Sequence, residues 1–263
     1  MAMKLLWFSI VLFQLTFIVS CDMDANKVAD EIVDKTTSVQ DSLISTDDSE
    51  VDFLDEIDTS AIELQLIKAG LVNIQDIDSS LIVDVLYATD NNFMNRVIYP
   101  EYDKVYLQPE IAKRLSIAQQ KLKAIDSTLS LVVLDGARPL SVQQEMWDAM
   151  DTIPFNERVN FLSNPANGSV HNYGCAVDLS IIDLKTGYWL DMGAGYDDLR
   201  KIAYPRHEEE FLASGELTKE QVDNRKLLRK VMKAGGFWVI ETEWWHFNGL
   251  SREKAKEKYE IIE

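Results

Sequence analysis

The sequence predicts an α+β fold, a single domain in which an antiparallel-rich central sheet carries packed helices and forms a cleft. Apolar residues recur at helical spacing in residues 109–125, whereas residues 129–134 and 176–182 are short runs rich in strand formers. Residues 183–188 resemble a hairpin turn between two strands, which predicts antiparallel pairing. About 200 residues follow residue 60, enough for one domain with its own core.

Residues 1–21 have the features of an export signal. Lys4 supplies the positive start, and residues 5–19 are an apolar run that is short for a membrane-spanning helix. The segment Ile18-Val19-Ser20-Cys21 resembles a bacterial lipobox, which predicts a lipid anchor on Cys21. An ordinary cleaved signal and a plain N-terminal anchor are the alternatives. With Cys21 lipidated, Cys175 is the one other cysteine, and no intrachain disulfide can form.

Residues 22–60 form a strongly acidic segment. They contain 13 acidic and two basic residues, and therefore carry most of the net charge of −18. We expect a disordered tether that repels itself and lifts residues 61–263 off a membrane surface. A surface helix over residues 25–36 is the alternative. The acidic balance argues against nucleic acid as a partner.

The first half of the domain contains three predicted elements before a loop. Residues 81–88 are predicted to be a strand, residues 109–125 a helix with Pro109 at its first position, and residues 129–134 a buried strand. Arg138 then falls in a loop just beyond a strand end, a usual place for a catalytic group. Pro139 and Ser141 could instead simply start a helix over residues 142–150.

The second half places further candidates on predicted elements. His171 is expected on a loop and Asp178 on the strand that follows, because their spacing does not fit one helical face. Thr218 and Gln221 predict a capping box for a helix that ends at Gly235. Residues 237–240 are predicted to be a strand that leads to residues 243–246, and the tail from residue 251 is a charged helix or a frayed end.

The three histidines of the chain leave few candidates for a metal site. His171, Asp178 and His246 would supply two imidazoles and one carboxylate, a set that suits zinc and leaves one position for water. Glu243 lies three residues before His246. In a straight strand the two would face opposite ways, so we predict a turn or bulge that brings them into one cavity, with Glu243 as the general base. The third histidine, His207, has charged neighbours in the sequence and is expected at the surface.

Two motifs carry a family resemblance. Residues 169–178 follow the pattern S-x-H-x-x-G-x-A-x-D, and residues 243–246 follow E-x-W-H. Together they resemble a zinc peptidase family that cleaves D-alanyl peptides and includes the D-Ala-D-Ala dipeptidases of the vancomycin-resistance type. The likeness runs from about residue 81 to residue 248 and includes Tyr87-Ala88-Thr89, Asn92-Phe93, Asp135-Gly136-Ala137-Arg138-Pro139, Met192-Gly193, Tyr196-Asp197 and Asn224-Arg225.

The resemblance implies a role for each candidate. His171, Asp178 and His246 would bind one Zn²⁺ per chain, Glu243 would be the catalytic base, and Arg138 would stabilise the transition state. Ser169, Tyr87 and Asp197 would hold the free amino end of the substrate, although Asp197 or Asp198 could instead cap a helix from residue 199. Ala137 departs from the family pattern, in which an aromatic residue is expected before Arg138-Pro139, so the resemblance does not define the pocket wall in detail there.

The sequence therefore predicts a zinc-dependent enzyme that hydrolyses D-Ala-D-Ala to two D-alanines. Its partners would be this dipeptide, or a related small cell-wall peptide, and the membrane through the Cys21 anchor, with no nucleic acid. A bacterial lipoprotein outside the cytoplasm suggests turnover of cell-wall peptides more than glycopeptide resistance. The alternatives are a D,D- or L,D-carboxypeptidase of longer peptidoglycan peptides and a zinc-bearing, non-catalytic binding module. Arg138→Ala is expected to reduce turnover with little effect on folding.

Overall fold

The computed structural model describes residues 60–100 and 102–263. The predicted signal peptide and nearly all of the predicted tether lie outside these residues. The helices described are α1 Ala61–Lys68, α2 Ile74–Ile77, α3 Pro109–Ile125, α4 Leu140–Ala149, α5 Glu208–Ser214, α6 Lys219–Ala234 and α7 Arg252–Lys258. The strands described are β1 Val72–Asn73, β2 Ile82–Val83, β3 Tyr106–Leu107, β4 Leu129–Asp135, β5 Ala176–Asp183, β6 Tyr188–Trp189, β7 Trp238–Val239 and β8 His246–Asn248. A search of the same residues for a helix long and apolar enough to cross a bilayer found none.

The central sheet has the strand order β2-β4-β5-β8-β7, with β6 paired to the far end of β5. All of its pairings are antiparallel except the one between β2 and β4. The strands β5 and β6 form the predicted hairpin. The sheet is therefore antiparallel-rich and the fold is α+β, as predicted.

Two long helices cover the sheet, and their sequences explain their ends. Helix α3 has the predicted bounds, with Pro109 in its first turn, and it packs against α6. Thr218 and Gln221 form the predicted capping box of α6. Leu115 and Leu228 are fully buried between these helices and the sheet. The apolar faces of the two helices thus supply much of the core beneath the cleft.

The register of the sheet aligns three polar residues at one end of neighbouring strands. Asp178 of β5 is directly opposite Asp135 of β4 on one side and His246 of β8 on the other. The β4–β5 register shifts between Val133 and Asp135, which marks a bulge just before the chain leaves β4. The fold therefore gathers buried polar groups at one end of the sheet, where β4 ends and β5 and β8 begin.

Three predicted elements differ from the structure. Within residues 81–88 only Ile82–Val83 is a strand; the chain then forms a 3₁₀ turn, Leu86–Ala88, whose Tyr87 carbonyl accepts from the amides of Ile98 and Tyr99. Helix α4 begins at Leu140, earlier than predicted. No α-helix starts at residue 199; the described chain forms a short 3₁₀ turn, Lys201–Ala203. Strand formers predict the first of these elements, and possible start or capping residues predict the other two, but such local patterns do not fix where an element begins or whether it forms.

Candidate active site

A short turn presents His171 to the end of the sheet. Ser169 caps the 3₁₀ turn Val170–Tyr173, and Asn172 completes a capping box by accepting from the Ser169 amide. Gly174 ends the turn at φ +63°, a left-handed conformation in which a side chain would also press on Leu71. The loop predicted for His171 is thus a tight turn that fixes its direction.

The side chains of His171, Asp178 and His246 converge on one point. His171 Nε2 lies 3.0 Å from His246 Nδ1 and 3.4 Å from Asp178 Oδ1, and His246 Nδ1 lies 3.0 Å from the same oxygen. A tetrahedral zinc ion with bonds of about 2.0–2.1 Å holds its ligand atoms about 3.3–3.4 Å apart. The three donors have nearly this spacing, and two imidazole lone pairs facing each other need a cation between them. The residues present therefore fit zinc.

A second set of contacts orients the two imidazoles. His171 Nδ1 lies 2.6 Å from the carbonyl oxygen of Gly136, and His246 Nε2 lies 3.0 Å from Asn248 Oδ1. Both oxygens accept hydrogen bonds, so each holds the proton of its histidine on the nitrogen that faces away from the cluster. The nitrogen facing the cluster is then a free ligand in each ring.

Asp178 is buried in an otherwise apolar strand, yet its environment favours the ionised form. Burial by itself raises the pKa of the carboxyl group, but positive charge at His171 and His246 outweighs this effect and holds the pKa well below its usual range. A cation bound between the two rings acts on Asp178 in the same direction. Tyr196 donates a further hydrogen bond to Oδ2 at 3.2 Å. Asp178 is thus prepared to bind a cation.

Glu243 lies in the loop between β7 and β8, where the predicted turn is confirmed. Its Oε2 is 3.8 Å from His246 Nδ1, and its side chain lines the same cavity as the three ligand candidates. Burial raises the pKa of Glu243 to about 7. A carboxylate with this pKa beside the cluster can accept a proton and return it near neutral pH. The neighbouring Trp244 and Trp245 are buried in the hydrophobic core, and Trp245 also lines the cavity.

Arg138 is held rigidly beside the cluster. It leaves the loop after β4, and both Nε, at 3.0 Å, and Nη2 donate to Asp135 Oδ2. Nη1 donates to Gln143 Oε1 at 2.9 Å, and Nη2 lies 3.9 Å from Asp178 Oδ2. The guanidinium group also lies over the ring of Tyr87, 5.5 Å from its centroid. This fixed cation is close enough to the cluster to stabilise negative charge that develops there.

Tyr87 and Asp197 meet at another part of the cavity. The hydroxyl group of Tyr87 donates to Asp197 Oδ2 at 2.9 Å, although 110 residues separate the two. Asp197 adopts φ +58°, a costly conformation for a residue with a side chain, which marks a constrained position. Burial and the nearby charge of Asp178 raise the pKa of Asp197 to about 7. Asp198 instead pairs with Arg200, so neither aspartate caps a helix.

One cavity of about 180 Å³ brings all eight predicted site residues together. Ser169 lines it beside His171, and its hydroxyl oxygen accepts from the His171 amide at 3.3 Å, which leaves its own proton free to donate. The volume is below the roughly 300–1,000 Å³ typical of pockets for larger ligands. The site is therefore suited to a small substrate.

Sequence reasoning missed the residues that support the site. They are Asp135 and Gln143, which hold Arg138, and Asn248 and the Gly136 carbonyl, which orient the histidines. Two signals could have found them. A charged Asp135 at the end of an apolar strand needs a partner, and Asn248 is two residues from His246 and hence on the same strand face. Gln143 carries no comparable signal.

The comparisons with known proteins agree with the site chemistry. The profile of the D-Ala-D-Ala dipeptidase family, peptidase family M15, matches residues 67–262, about three quarters of the chain. The chain belongs to this family. A D-alanyl-D-alanine dipeptidase of Escherichia coli K12 is 32% identical over 180 residues, covering 67% of this chain and 83% of that protein. One from Enterococcus faecalis V583 is 27% identical over 176 residues, covering 62% and 83%.

Solved structures of lower similarity also match this family member. The D,D-dipeptidase VanXYg, in complex with a D-Ala-D-Ala phosphinate analogue, is 18% identical, with 61% of this chain and 62% of that chain covered and a TM-score of 0.35. The LdcB LD-carboxypeptidase is 18% identical, with 58% and 63% covered and a TM-score of 0.36. This chain thus spans less than two thirds of either solved chain.

Proposed function

We propose that this protein hydrolyses the dipeptide D-Ala-D-Ala to two D-alanines, using one zinc ion held by His171, Asp178 and His246. The observation that carries the proposal is the convergence of three donor atoms within 3.0–3.4 Å of one another, with Glu243 beside them. Membership of the D-Ala-D-Ala dipeptidase family supports the same activity.

Glu243 acts as the general base and then as the general acid. The chemistry that bound zinc supplies is Lewis acidity, which lowers the pKa of water and polarises a carbonyl group. Glu243 takes a proton from the attacking water and gives it to the departing amine of the second D-alanine. Its raised pKa, about 7, suits both transfers near neutral pH. Of the described carboxylates that line the cavity, Glu243 and the ligand candidate Asp178 are the two with an oxygen within 4.0 Å of a histidine nitrogen of the cluster.

Arg138 stabilises the oxyanion that forms when water attacks the peptide carbonyl. The guanidinium group is buried and fixed by Asp135 and Gln143, so it needs no rearrangement as charge develops. Its Nη2 already lies 3.9 Å from the Asp178 carboxylate. Its donors are therefore beside the cluster before the oxyanion forms.

Asp197, Tyr87 and Ser169 hold the free ammonium group of the dipeptide. Asp197 supplies a carboxylate, and the Tyr87 hydroxyl group fixes its direction through the 2.9 Å hydrogen bond. Ser169 offers a hydroxyl group on the same cavity wall as His171. An ammonium ion gains most from a carboxylate in a partly dry pocket, because water screens the pair less there.

A carboxypeptidase of longer peptides is the second candidate. It would need room beyond the amino end of the scissile dipeptide, where Asp197 and Tyr87 close the pocket in our proposal. A non-catalytic zinc module is disfavoured because both Glu243 and Arg138 line the cavity in positions suited to catalysis.

The test compares two substrates. The purified full-length protein, loaded with zinc, is given D-Ala-D-Ala and its N-acetylated form, and released D-alanine is measured. The proposal predicts cleavage of the free dipeptide only, because an acetyl group removes the ammonium charge. Equal or faster cleavage of the acetylated form would move the protein to the carboxypeptidase class.

For cellular location, we propose an exported bacterial lipoprotein anchored through Cys21, whose acidic segment over residues 22–60 separates the enzyme from the membrane. The supporting observation is the lipobox-like sequence after an apolar run. This location favours turnover of cell-wall peptides over protection of precursors inside the cell. Labelling with a radioactive fatty acid tests the proposal: wild type should incorporate label and Cys21→Ser should not, and an unlabelled wild type would contradict it.

A further inference from the structure

The cavity contains two arginines, of which one is already neutralised. The charge of Arg138 is balanced by Asp135, whose carboxylate accepts from both Nε and Nη2. Arg252 also lines the cavity, but its side chain is exposed and its hydrogen bond within the described residues goes to the uncharged Ser163 Oγ at 3.3 Å. No carboxylate of the described residues forms an ion pair with Arg252. An arginine in this situation can accept an anion from a ligand.

A chain of contacts places Arg252 relative to the catalytic groups. Arg138 Nη1 donates to the Gln143 side chain, Gln143 Nε2 donates to the Ser163 carbonyl at 2.7 Å, and Arg252 reaches the Ser163 hydroxyl group. The face of the Arg138 guanidinium group, by contrast, lies over Tyr87, which holds Asp197. Ser163 and Arg252 therefore lie beyond Gln143, on the Nη1 side of Arg138, whereas Tyr87 and Asp197 lie against the face of its guanidinium group.

The charge pattern of the cavity matches a zwitterion. Asp197 supplies negative charge on the Tyr87 side, Arg252 supplies positive charge on the Ser163 side, and the metal cluster with Glu243 lines the same cavity. A free dipeptide has an ammonium group at one end and a carboxylate at the other. Such a ligand can pair its ammonium group with Asp197 and its carboxylate with Arg252 inside the one cavity that the cluster also lines.

We infer that Arg252, assisted by the Ser163 hydroxyl group, binds the C-terminal carboxylate of the substrate and selects for a free carboxyl end. The inference rests on the proposed function, because it assigns a binding residue to the carboxyl end of the dipeptide, the end that the metal cluster and Asp197 leave free. Guanidinium groups suit carboxylates because their planar N–H groups can donate in pairs. Arg252 is in this role a specificity-determining residue.

The test varies the charge on the enzyme and on the substrate together. Arg252→Ala is compared with wild type on D-Ala-D-Ala and on D-alanyl-D-alaninamide, which lacks the C-terminal charge. We expect the substitution to raise KM for the dipeptide about tenfold and to change kcat less. The factor is modest for the loss of a charged hydrogen bond, because solvent screens the exposed Arg252 side chain. The KM for the amide should change less than twofold. Arg252→Lys should fall between wild type and Arg252→Ala on the dipeptide.

A matched control variant and the wild-type activity distinguish failure of the Arg252 role from failure of the proposed function. Lys254→Ala removes a positive charge from the same helix, α7, at a residue that does not line the cavity, and it should leave both substrates unchanged. Equal changes in KM for both substrates, or no change for either, would overturn the role of Arg252 while the dipeptidase activity stands. A wild-type protein that releases no D-alanine from D-Ala-D-Ala would overturn the proposed function and this role with it.

Discussion

His171 Nε2 and His246 Nδ1 face each other at 3.0 Å, although the two residues are 75 positions apart in the chain and lie on a turn and a strand. Gly136 and Asn248 hold the remaining nitrogen of each ring, so both facing atoms are available as ligands. This arrangement is stable when a cation lies between the rings.

The first prediction concerns metal affinity. Asn248→Ala removes the oxygen that orients His246, and loss of such an outer contact weakens zinc binding by about 10- to 100-fold. Competition with a fluorescent zinc chelator measures the affinity, and atomic emission should give one zinc per chain in the wild type. Asn156→Ala, at an exposed position away from the cavity, is the control. An Asn248→Ala protein with unchanged zinc affinity would argue against the assigned ligand set.

The second prediction separates the catalytic and structural roles of Arg138. Arg138→Ala should lower kcat by about 100- to 1,000-fold through loss of an oxyanion donor. The sequence suggested little effect on folding, but the structure revises this, because Asp135 would remain as a buried charge without its partner. We expect the free energy of unfolding to fall by about 3–5 kcal/mol.

A double variant distinguishes these two effects. Arg138→Ala combined with Asp135→Ala removes both charges, so urea unfolding should show that part of the lost stability returns while kcat remains low. Zinc content is measured in parallel. Wild-type kcat in Arg138→Ala would exclude the oxyanion role, and an unchanged urea midpoint would exclude the structural one.

How much of this arrangement the sequence could predict depends on the range of the interactions. The bounds of α3, the capping box of α6 and the turn before His246 follow from local spacing, and the metal cluster follows from the scarcity of histidines together with the two motifs. These features depend on neighbours within a few residues or on a resemblance.

The rest depends on contacts between distant segments. The Tyr87–Asp197 hydrogen bond spans 110 residues, and the carbonyl group of Tyr87, in the turn Leu86–Ala88, accepts hydrogen bonds from the amides of Ile98 and Tyr99. Gln143 supports Arg138 from a helix face that periodicity alone identifies as ordinary core. No local pattern encodes which distant groups will meet.

The third prediction is a pH dependence that involves Tyr87 and Asp197. Burial and Asp178 raise the pKa of Asp197 to about 7, the Tyr87 hydrogen bond lowers it, and a bound dication lowers it further. Below its pKa Asp197 is neutral and cannot pair with an ammonium group. Protonation of Asp197 should therefore lower kcat/KM by up to about tenfold per pH unit on an acid limb at or below pH 7, to which protonation of the base Glu243 adds its own fall.

Substitution of Tyr87 tests the direction in which its hydrogen bond shifts the pKa of Asp197. Tyr87→Phe removes a hydrogen bond to the charged form of Asp197, so the acid limb of the kcat/KM profile should move to higher pH. Tyr188→Phe, which alters an exposed tyrosine, should leave the profile in place. A shift of the Tyr87→Phe limb to lower pH would contradict the assigned contact.

The fourth prediction concerns stability away from the site. Glu63 is buried, and although burial raises the pKa of its carboxyl group, hydrogen bonds from Lys104 at 2.6 Å and from Tyr106 hold the pKa below the ordinary value. Glu63→Gln should therefore lower the free energy of unfolding at pH 7 by about 1–3 kcal/mol.

This contribution should depend on pH in one direction. Because the folded pKa of Glu63 is lowered, its stabilisation is complete above the unfolded pKa of about 4.3 and is lost as the pH falls through the folded pKa. Urea unfolding at pH 7 and below pH 4 should show the difference between wild type and Glu63→Gln narrowing with acid. The control Glu257→Gln, on the exposed face of α7, should have the same free energy of unfolding as the wild type at both pH values. A stability difference between wild type and Glu63→Gln that grows as the pH falls would contradict this prediction.

The most direct test of the central claim is D-alanine release from D-Ala-D-Ala by the full-length protein, measured before and after zinc is removed with a chelator, and again in Glu243→Ala. We predict two D-alanines per dipeptide for the zinc-loaded wild type, no release after chelation, recovery on addition of zinc, and a loss of about 100- to 10,000-fold in Glu243→Ala with zinc still bound. Release that survives chelation, or wild-type turnover in Glu243→Ala, would contradict the account.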